Sequence, residues 1–315
     1  MNILKVLNIN EITSFAEAAF NTFDTSKLSI DPQVAMEELK EDIVSELEDL
    51  NSEQTKKARL DHFQVEGTSP DDYSERLLDL DNNRKVIYGI RHKGGNKEIP
   101  FIQFTPNFKI NSKSEVLEIY EQIKTEFKVF NPLYVSLFSR EKVDADLFGS
   151  VYMVSTAEKF KELAPWKEEA QVKIELITND SYYDWYKSGY DQFHADYPQL
   201  KNKVTVNSKE LMRESLDEGL LKLFTIDGEK VGLIGAEKSK FLGHDGLYFN
   251  EIYIEKNWKG KGLAKAMQRI FVASSTKGHE LIWGTINDSN IPSYKTAYSN
   301  GRRAVRFECF FSLRL

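Results

Sequence analysis

The sequence predicts an α/β chain in which two successive runs of strands and helices follow one order, with a boundary between residues 165 and 166. Three observations carry this. Asp227-Gly228 separates two alternating apolar runs, a strong hairpin signal. The segment Ile254-Glu255-Lys256-Asn257-Trp258-Lys259-Gly260-Lys261-Gly262-Leu263-Ala264 ends an apolar strand, turns through lysine and glycine, and opens an amphipathic helix. The first half repeats the strand and helix order without that turn, although no residue-level repeat is evident.

The elements follow from local pattern. In the first half, residues 4–8 read as a strand and residues 12–23 and 32–50 as helices. Residues 85–91 and 99–104 flank Lys93-Gly94-Gly95-Asn96 as a hairpin. Residues 114–129 place Val116, Ile119, Tyr120, Ile123 and Phe127 at helical spacing, and residues 133–138 and 150–155 read as strands. In the second half, residues 171–177 alternate as a half-buried strand, and 179–197 and 208–218 read as helices. Strands follow at 220–226, 230–237 and 247–254, then a helix from Gly262 carrying Leu263, Met267 and Ile270 on one face. A strand at 280–286, a helix at 291–300 and a closing strand at 304–313 complete the chain.

Composition is that of a globular protein, with 41% hydrophobic and 29% charged residues. A net charge of −7 argues against a nucleic-acid binder or an anionic-membrane surface. Residues 1–166 carry 20 Lys/Arg against 29 Asp/Glu, and the remainder 22 against 20. Cys309 is the only cysteine, so intrachain disulfides and cysteine metal clusters are excluded, and its apolar run reads as a buried strand. The five histidines lack metal-ligand spacing, so no metal is expected. No signal segment or membrane-spanning run is present, and a cytoplasmic setting is expected.

The turn before the helix at Gly262 carries the most chemical information. A helix start exposes unpaired amides and the positive end of the dipole, where acids usually gather. Here Lys256, Lys259, Lys261 and Lys265 crowd the turn, and residues 256–265 contain no acid. Glycines at 260 and 262 remove the side chains that would keep a phosphate from the amides. The turn reads as a pyrophosphate cradle. The corresponding stretch of the first half, Phe104-Thr105-Pro106-Asn107-Phe108-Lys109-Ile110-Asn111-Ser112, has no glycine, and Pro106 lacks an amide.

Lys259-Gly260-Lys261-Gly262-Leu263-Ala264 resembles the Gln/Arg-x-x-Gly-x-Gly/Ala signature of the GNAT superfamily, the acyl-CoA-dependent N-acetyltransferases, with Lys259 in place of Gln or Arg. The resemblance covers residues 171–315 and extends to the first half by element order alone. It implies tandem GNAT-like domains, 1–165 degenerate and 166–315 catalytic, each a mixed, mostly antiparallel sheet flanked by helices. It also implies acetyl-CoA as co-substrate. The strand 247–254 would part from the strand at 280–286, and the backbone of Ile252, Tyr253 and Ile254 would hold the pantetheine arm. Amides of Gly260, Lys261, Gly262, Leu263 and Ala264, with Lys259, would hold the pyrophosphate.

Direct attack by an amine needs no Ser, Cys or His nucleophile. An alkyl ammonium has a pKa of roughly 10, so a base must remove a proton first. Glu251 is the candidate, and a solvated strand glutamate is its bland alternative. The departing thiolate calls for a weak acid. The family pattern Asn-x-x-Ala-x-x-Leu-Tyr-x-x-x-Gly-Phe meets Asn290, Ser293 and Gly301 here, but Ala297 holds the tyrosine slot and Arg302 replaces the aromatic. Tyr298 lies one position late, Tyr294 fits a register begun at Asn287, and water is a third option. Asn290, with Asn287 as the alternative, resembles the asparagine that orients the cofactor arm. Trp185, Tyr190, Phe193, His194 and Tyr197 form an aromatic face that reads first as core and second as a pocket for a small-molecule or peptide amine. Two rivals stand beside the enzyme: a non-catalytic acyl-CoA-binding module, and an interaction protein using the acidic helix 32–50.

Overall fold

Asp227 (φ 50°) and Gly228 (φ 85°) both take the left-handed conformation, which matches a two-residue hairpin to the twist of its strands. This turn fixes the register of the sheet that carries the site. The computed structural model describes Ile3, residues 6–201 and residues 204–314. The chain divides into two compact units, Met1–Val151 with Val305–Leu315, and Tyr152–Ala304. The second unit therefore begins before the expected boundary, and the closing strand belongs to the first.

The first unit contains α1 (Ile9–Phe20), α2 (Pro32–Leu50), α3 (Glu53–Phe63), β1 (Arg76–Asp79), β2 (Lys85–His92), β3 (Pro100–Pro106), α4 (Lys113–Ile123) and β4 (Tyr134–Ser139). Strand β5 (Leu147–Thr156) crosses the boundary between the units. Asn8, Asp31, Ser52 and Ser112 cap the four helices through side-chain oxygens. The strand expected over residues 4–8 is absent at Leu7 and Asn8, because Asn8 begins α1; Leu4 and Lys5 lie outside the described residues. Strands β1, β2 and β3 pair antiparallel, and α4 returns the chain to a parallel β4. The closing strand, β11 (Arg303–Ser312), pairs antiparallel with β4, Phe307 to Ser312 against Ser139 to Tyr134. An alternating apolar strand specifies its buried face but not which sheet it joins. Cys309 is buried there, and burial pushes its thiol up to about 11. Pairing of β3 with β4 ends at Gln103 and Ser136, where Gln103 Nε2 donates to the carbonyls of Ser136 and Phe104 (both 3.2 Å).

The second unit contains α5 (Ala157–Glu162), β6 (Lys173–Glu175), α6 (Ser181–Asp196), α7 (Lys209–Asp217), β7 (Leu221–Ile226), β8 (Glu229–Lys238), β9 (Gly246–Ile254), α8 (Leu263–Ser275), β10 (Leu281–Asn287) and α9 (Ile291–Ser299). Its strands run in the order β10-β9-β8-β7-β6, parallel only between β9 and β10. Strand β6 is shorter than expected and exposed along its whole length, as an edge strand with one neighbour can be. Helix α8 buries Leu263, Met267, Phe271 and Val272 against Ile234, Ala236, Phe249 and Ile282. Helices α6 and α7 bring Tyr182, Tyr186 and Met212 against Leu221, Leu223, Leu233 and Tyr253. Glycine at 189, inside α6, is costly to helix stability by about 1 kcal/mol, but a Cβ there would overlap the Tyr253 hydroxyl. Among the described residues no helix is long and apolar enough to cross a membrane.

His92 of the first unit is buried against Phe63 with both ring nitrogens unpartnered. Burial, then the nearby Arg59 charge, pushes its pKa down to about 4. The unfolded chain takes up that proton near pH 6.5, so stability should fall as pH drops from about 6.5 toward 4, by up to about 1.4 kcal/mol per unit. Urea unfolding across this window should show the slope in the parent and lose much of it in His92→Phe.

Candidate active site

Strands β9 and β10 are in register from Gly246 and Leu281 to Tyr248 and Trp283, and then part. Both continue, β9 to Ile254 and β10 to Asn287. A fork opens between them. Opposite, β8 meets Glu251 at Gly235 and Phe249 at Ala236, so Asn250 is an extra residue, a β-bulge. Two residues apart on a regular strand, Phe249 and Glu251 would share a face. The bulge sends Phe249 to α8, where its ring lies 5.6 Å from that of Phe271, and Glu251 to α6.

The free edge of β9 follows from its ladder. The Glu255 amide donates to Val231 of β8 (2.9 Å), so alternation aims the amides of Ile252 and Ile254 into the fork and that of Tyr253 into the β8 ladder. Tyr253 therefore offers no backbone amide to a ligand, contrary to the sequence expectation. The Ile252 amide is also engaged, donating to Glu251 Oε1 (2.9 Å). That bond holds the Glu251 carboxylate at the fork's edge.

Glu251 is surrounded by donors. Tyr186 donates to Oε2, and Tyr190 to Oε2 (3.0 Å) and Oε1 (3.3 Å). The Tyr186 hydroxyl in turn accepts from the Asn207 amide (3.1 Å). Burial raises the carboxyl above its ordinary range, against the lowering pull of these hydrogen bonds. Both tyrosines are held protonated, by burial first and the adjacent carboxylate second. Sequence reading singled out Tyr190 but missed Tyr186; their spacing of four on one helix was the available signal.

Beyond Ile254 the turn is open. Gly260 (φ 77°) and Gly262 (φ 78°) are left-handed, and a Cβ on Gly260 would meet nothing within 4 Å. Helix α8 begins at Leu263, with Ala264 in its first turn, and has no side-chain cap. Lys256 pairs with Asp196 (2.7 Å), while Lys259, Lys261 and Lys265 lie over Phe193, Trp258 and Trp166. The acid missing from the turn arrives from elsewhere. Glu168 is 8% exposed, its Oε1 would lie 2.8 Å from a Cβ on Gly262, and its Oε2 has no hydrogen-bond partner. No sequence pattern links that glutamate to the turn.

No family model and no curated protein sequence matches the chain. Solved structures do. A GCN5-related N-acetyltransferase from Sphaerobacter thermophilus is similar over 96% of this chain and 92% of its own, at 10% identity and a TM-score of 0.51. The chain has a GNAT fold. Lower similarity extends to a GNAT-family acetyltransferase from Colwellia psychrerythraea (8% identity, 82% of this chain, 96% of the other, TM-score 0.46). It extends also to one from Streptococcus agalactiae (15% identity, 46% and 96%, TM-score 0.35).

Within this GNAT fold, α9 places the remaining candidates unevenly. Asn290 caps α9, accepting from the Ser293 amide (3.3 Å), and Asn287 accepts from Ser289. Ala297 is fully buried at the family's tyrosine slot. Tyr298, one position on and about 100° round the helix, is 54% exposed beneath Arg303. Its ring faces away from the core side of α9, so the late register turns it outward. Tyr294 is half-buried.

Replacing Tyr186 by Phe removes a donor to the charged form of Glu251, so its carboxyl pKa should rise further above the ordinary range. Carbon-detected NMR titration of Glu251 would reveal this; an unchanged or lower pKa would contradict the network.

Proposed function

We propose that this protein is an N-acetyltransferase that moves an acetyl group from acetyl-CoA to a primary amine, with catalysis in the second unit. The observation that carries the reading is the Glu251 carboxylate, fixed at the edge of a strand fork that leads into an uncapped helix start. Bound acetyl-CoA supplies a thioester carbonyl for the amine to attack. The outward carbonyls of Ile252 and Ile254 and the Ile254 amide suit the pantetheine arm. Amides of Gly260, Lys261, Gly262, Leu263 and Ala264 suit the pyrophosphate, with Lys259 and Lys261 adding charge. Glu168 opposes that charge and must move or be outweighed.

Glu251 takes the proton that converts the ammonium to a nucleophile. Burial raises its pKa, which makes it a stronger base than an exposed glutamate. Tyr186 and Tyr190 orient it. The rings of Trp185, Tyr190 and Tyr253 beside this carboxylate suit a cationic acceptor, a small-molecule or peptide amine. In the first unit Gln103 bridges the corresponding strand parting, and the following segment lacks glycine, in keeping with a degenerate copy that holds no cofactor. A cytoplasmic setting suits this chemistry. The second reading, a non-catalytic acyl-CoA-binding module, is favoured by the outward Tyr298.

Thermal unfolding with acetyl-CoA or CoA at about 100 times its dissociation constant should add roughly 2.7 kcal/mol of stability, and no shift at millimolar ligand would remove both cofactor readings. Gly262→Glu should abolish the shift, whereas Glu168→Gln should enlarge it by relieving repulsion. Glu251→Gln should cut thiol release in an amine screen by about a hundredfold or more with CoA affinity nearly unchanged. Equal rates in Glu251→Gln and the parent would take Glu251 out of the mechanism.

A further inference from the structure

Among the described residues of the second unit, Arg302 is the most buried charge, 2% exposed. It stands just beyond α9, its amide closing on Ala297 (3.1 Å), where the GNAT pattern carries an aromatic residue. The guanidinium has no acidic partner among the described residues. Nη2 donates to Gln268 Oε1 (2.7 Å), Nε has no partner, and the group lies 5.0 Å from the Phe249 ring centroid. Burial alone pushes its pKa down to about 9, with no neighbouring charge contributing. An unpaired buried cation is costly, and an apolar residue of similar size usually serves stability better.

Its position gives it a use. Gly284 is the first residue of β10 beyond the last pair with β9. A Cβ on Gly284 would lie 3.5 Å from Arg302 Nη1 and 3.6 Å from the Phe249 carbonyl. The guanidinium thus reaches the floor of the fork from the α8 face, while Glu251 faces α6. An arm anchored at the turn after Ile254 and running back along β9 ends toward Phe249, five strand steps or about 17 Å away.

We propose that Arg302 is the cation that receives the coenzyme A thiolate at the floor of the β9–β10 fork, taking the role that a tyrosine acid would otherwise fill. This rests on the acetyltransferase reading above. The amine gives one proton to Glu251, and its nitrogen lone pair forms the C–N bond. The C–S bond breaks with its electron pair passing to sulfur, and the nitrogen loses its second proton to water. Arg302 need not donate a proton; its charge stabilises the thiolate in a site of low dielectric. Ala297 at the tyrosine slot is then no defect, because the charge comes from the next turn of chain.

The test uses binding rather than turnover. Titration calorimetry of CoA and of desulfo-CoA, which lacks the thiol, would be run from about pH 6.5 to about 8.5, below the Arg302 pKa, on the parent, Arg302→Lys and Arg302→Phe. In the parent, preference for CoA over desulfo-CoA should grow with pH, with the bound thiol ionising about one unit or more below its free value. Arg302→Phe should lose about tenfold or more of that preference at high pH while binding desulfo-CoA like the parent. Arg302→Lys should keep part of it. Phenylalanine suits the slot sterically, so Arg302→Phe should melt at or above the parent temperature; Arg302→Met replaces it if it does not fold. Equal CoA preference in the parent and the uncharged variant would overturn the assignment. So would an Arg302-dependent preference for succinyl-CoA over acetyl-CoA without a thiol shift, which would make Arg302 a reader of an acidic acyl chain. If the parent binds neither CoA nor desulfo-CoA, the cofactor reading itself fails and Arg302 loses its role with it.

Discussion

The extra residue at Asn250 is the constraint on which the second unit's candidate site depends. One inserted position in β9 reverses the side-chain alternation, so Phe249 packs on α8 and Glu251 meets α6. The bulge residue is itself tied down. Its carbonyl accepts from Asn207 Nδ2 (2.9 Å), and its side-chain amide donates to Ser215 of α7 (3.1 Å). These bonds attach the bulge to both the α6–α7 connection and α7. A strand without it would carry the same residues and put Glu251 on the apolar side of the sheet.

From that arrangement follows a division of charge across the sheet. A carboxylate is buried on one face beneath two phenols, and a guanidinium on the other without an acid. The carboxylate at least has three donors, which offset part of its desolvation. The guanidinium has one acceptor, and its Nε has none. Buried polar groups are ordinarily satisfied, so this shortfall is a cost to stability.

The turn at Gly260 and Gly262 contains a conflict of its own. Its backbone is arranged as an anion site, with left-handed glycines and an uncapped helix, and its lysines rest on aromatic faces. Glu168 nevertheless brings a carboxyl group against it from a distant segment. The side chains around it are firmly packed: Trp166 donates to Asn300 Oδ1 (3.0 Å), and Asn300 donates to the Lys265 carbonyl (3.0 Å). An anionic ligand at this positive end would have to displace or outweigh the Glu168 carboxylate.

Sequence by itself determined what is local. The Asp227-Gly228 hairpin, the helix starts at Asp31, Ser112 and Ser208, the glycine turn and the helix after it all follow from conformational preferences spanning a few residues. The fold class was legible too, because hairpin, turn and helix occur in a characteristic order. Tertiary structure alone decided the rest. It joined β11 to β4, because an alternating strand carries no address. It placed Tyr186 on Glu251 across 65 positions, and put Glu168 against Gly262. It also buried Arg302 beneath Gly284, a position that looked in sequence like a lost aromatic. Each of these depends on which surfaces meet in space, and a pattern read along the chain has no access to that.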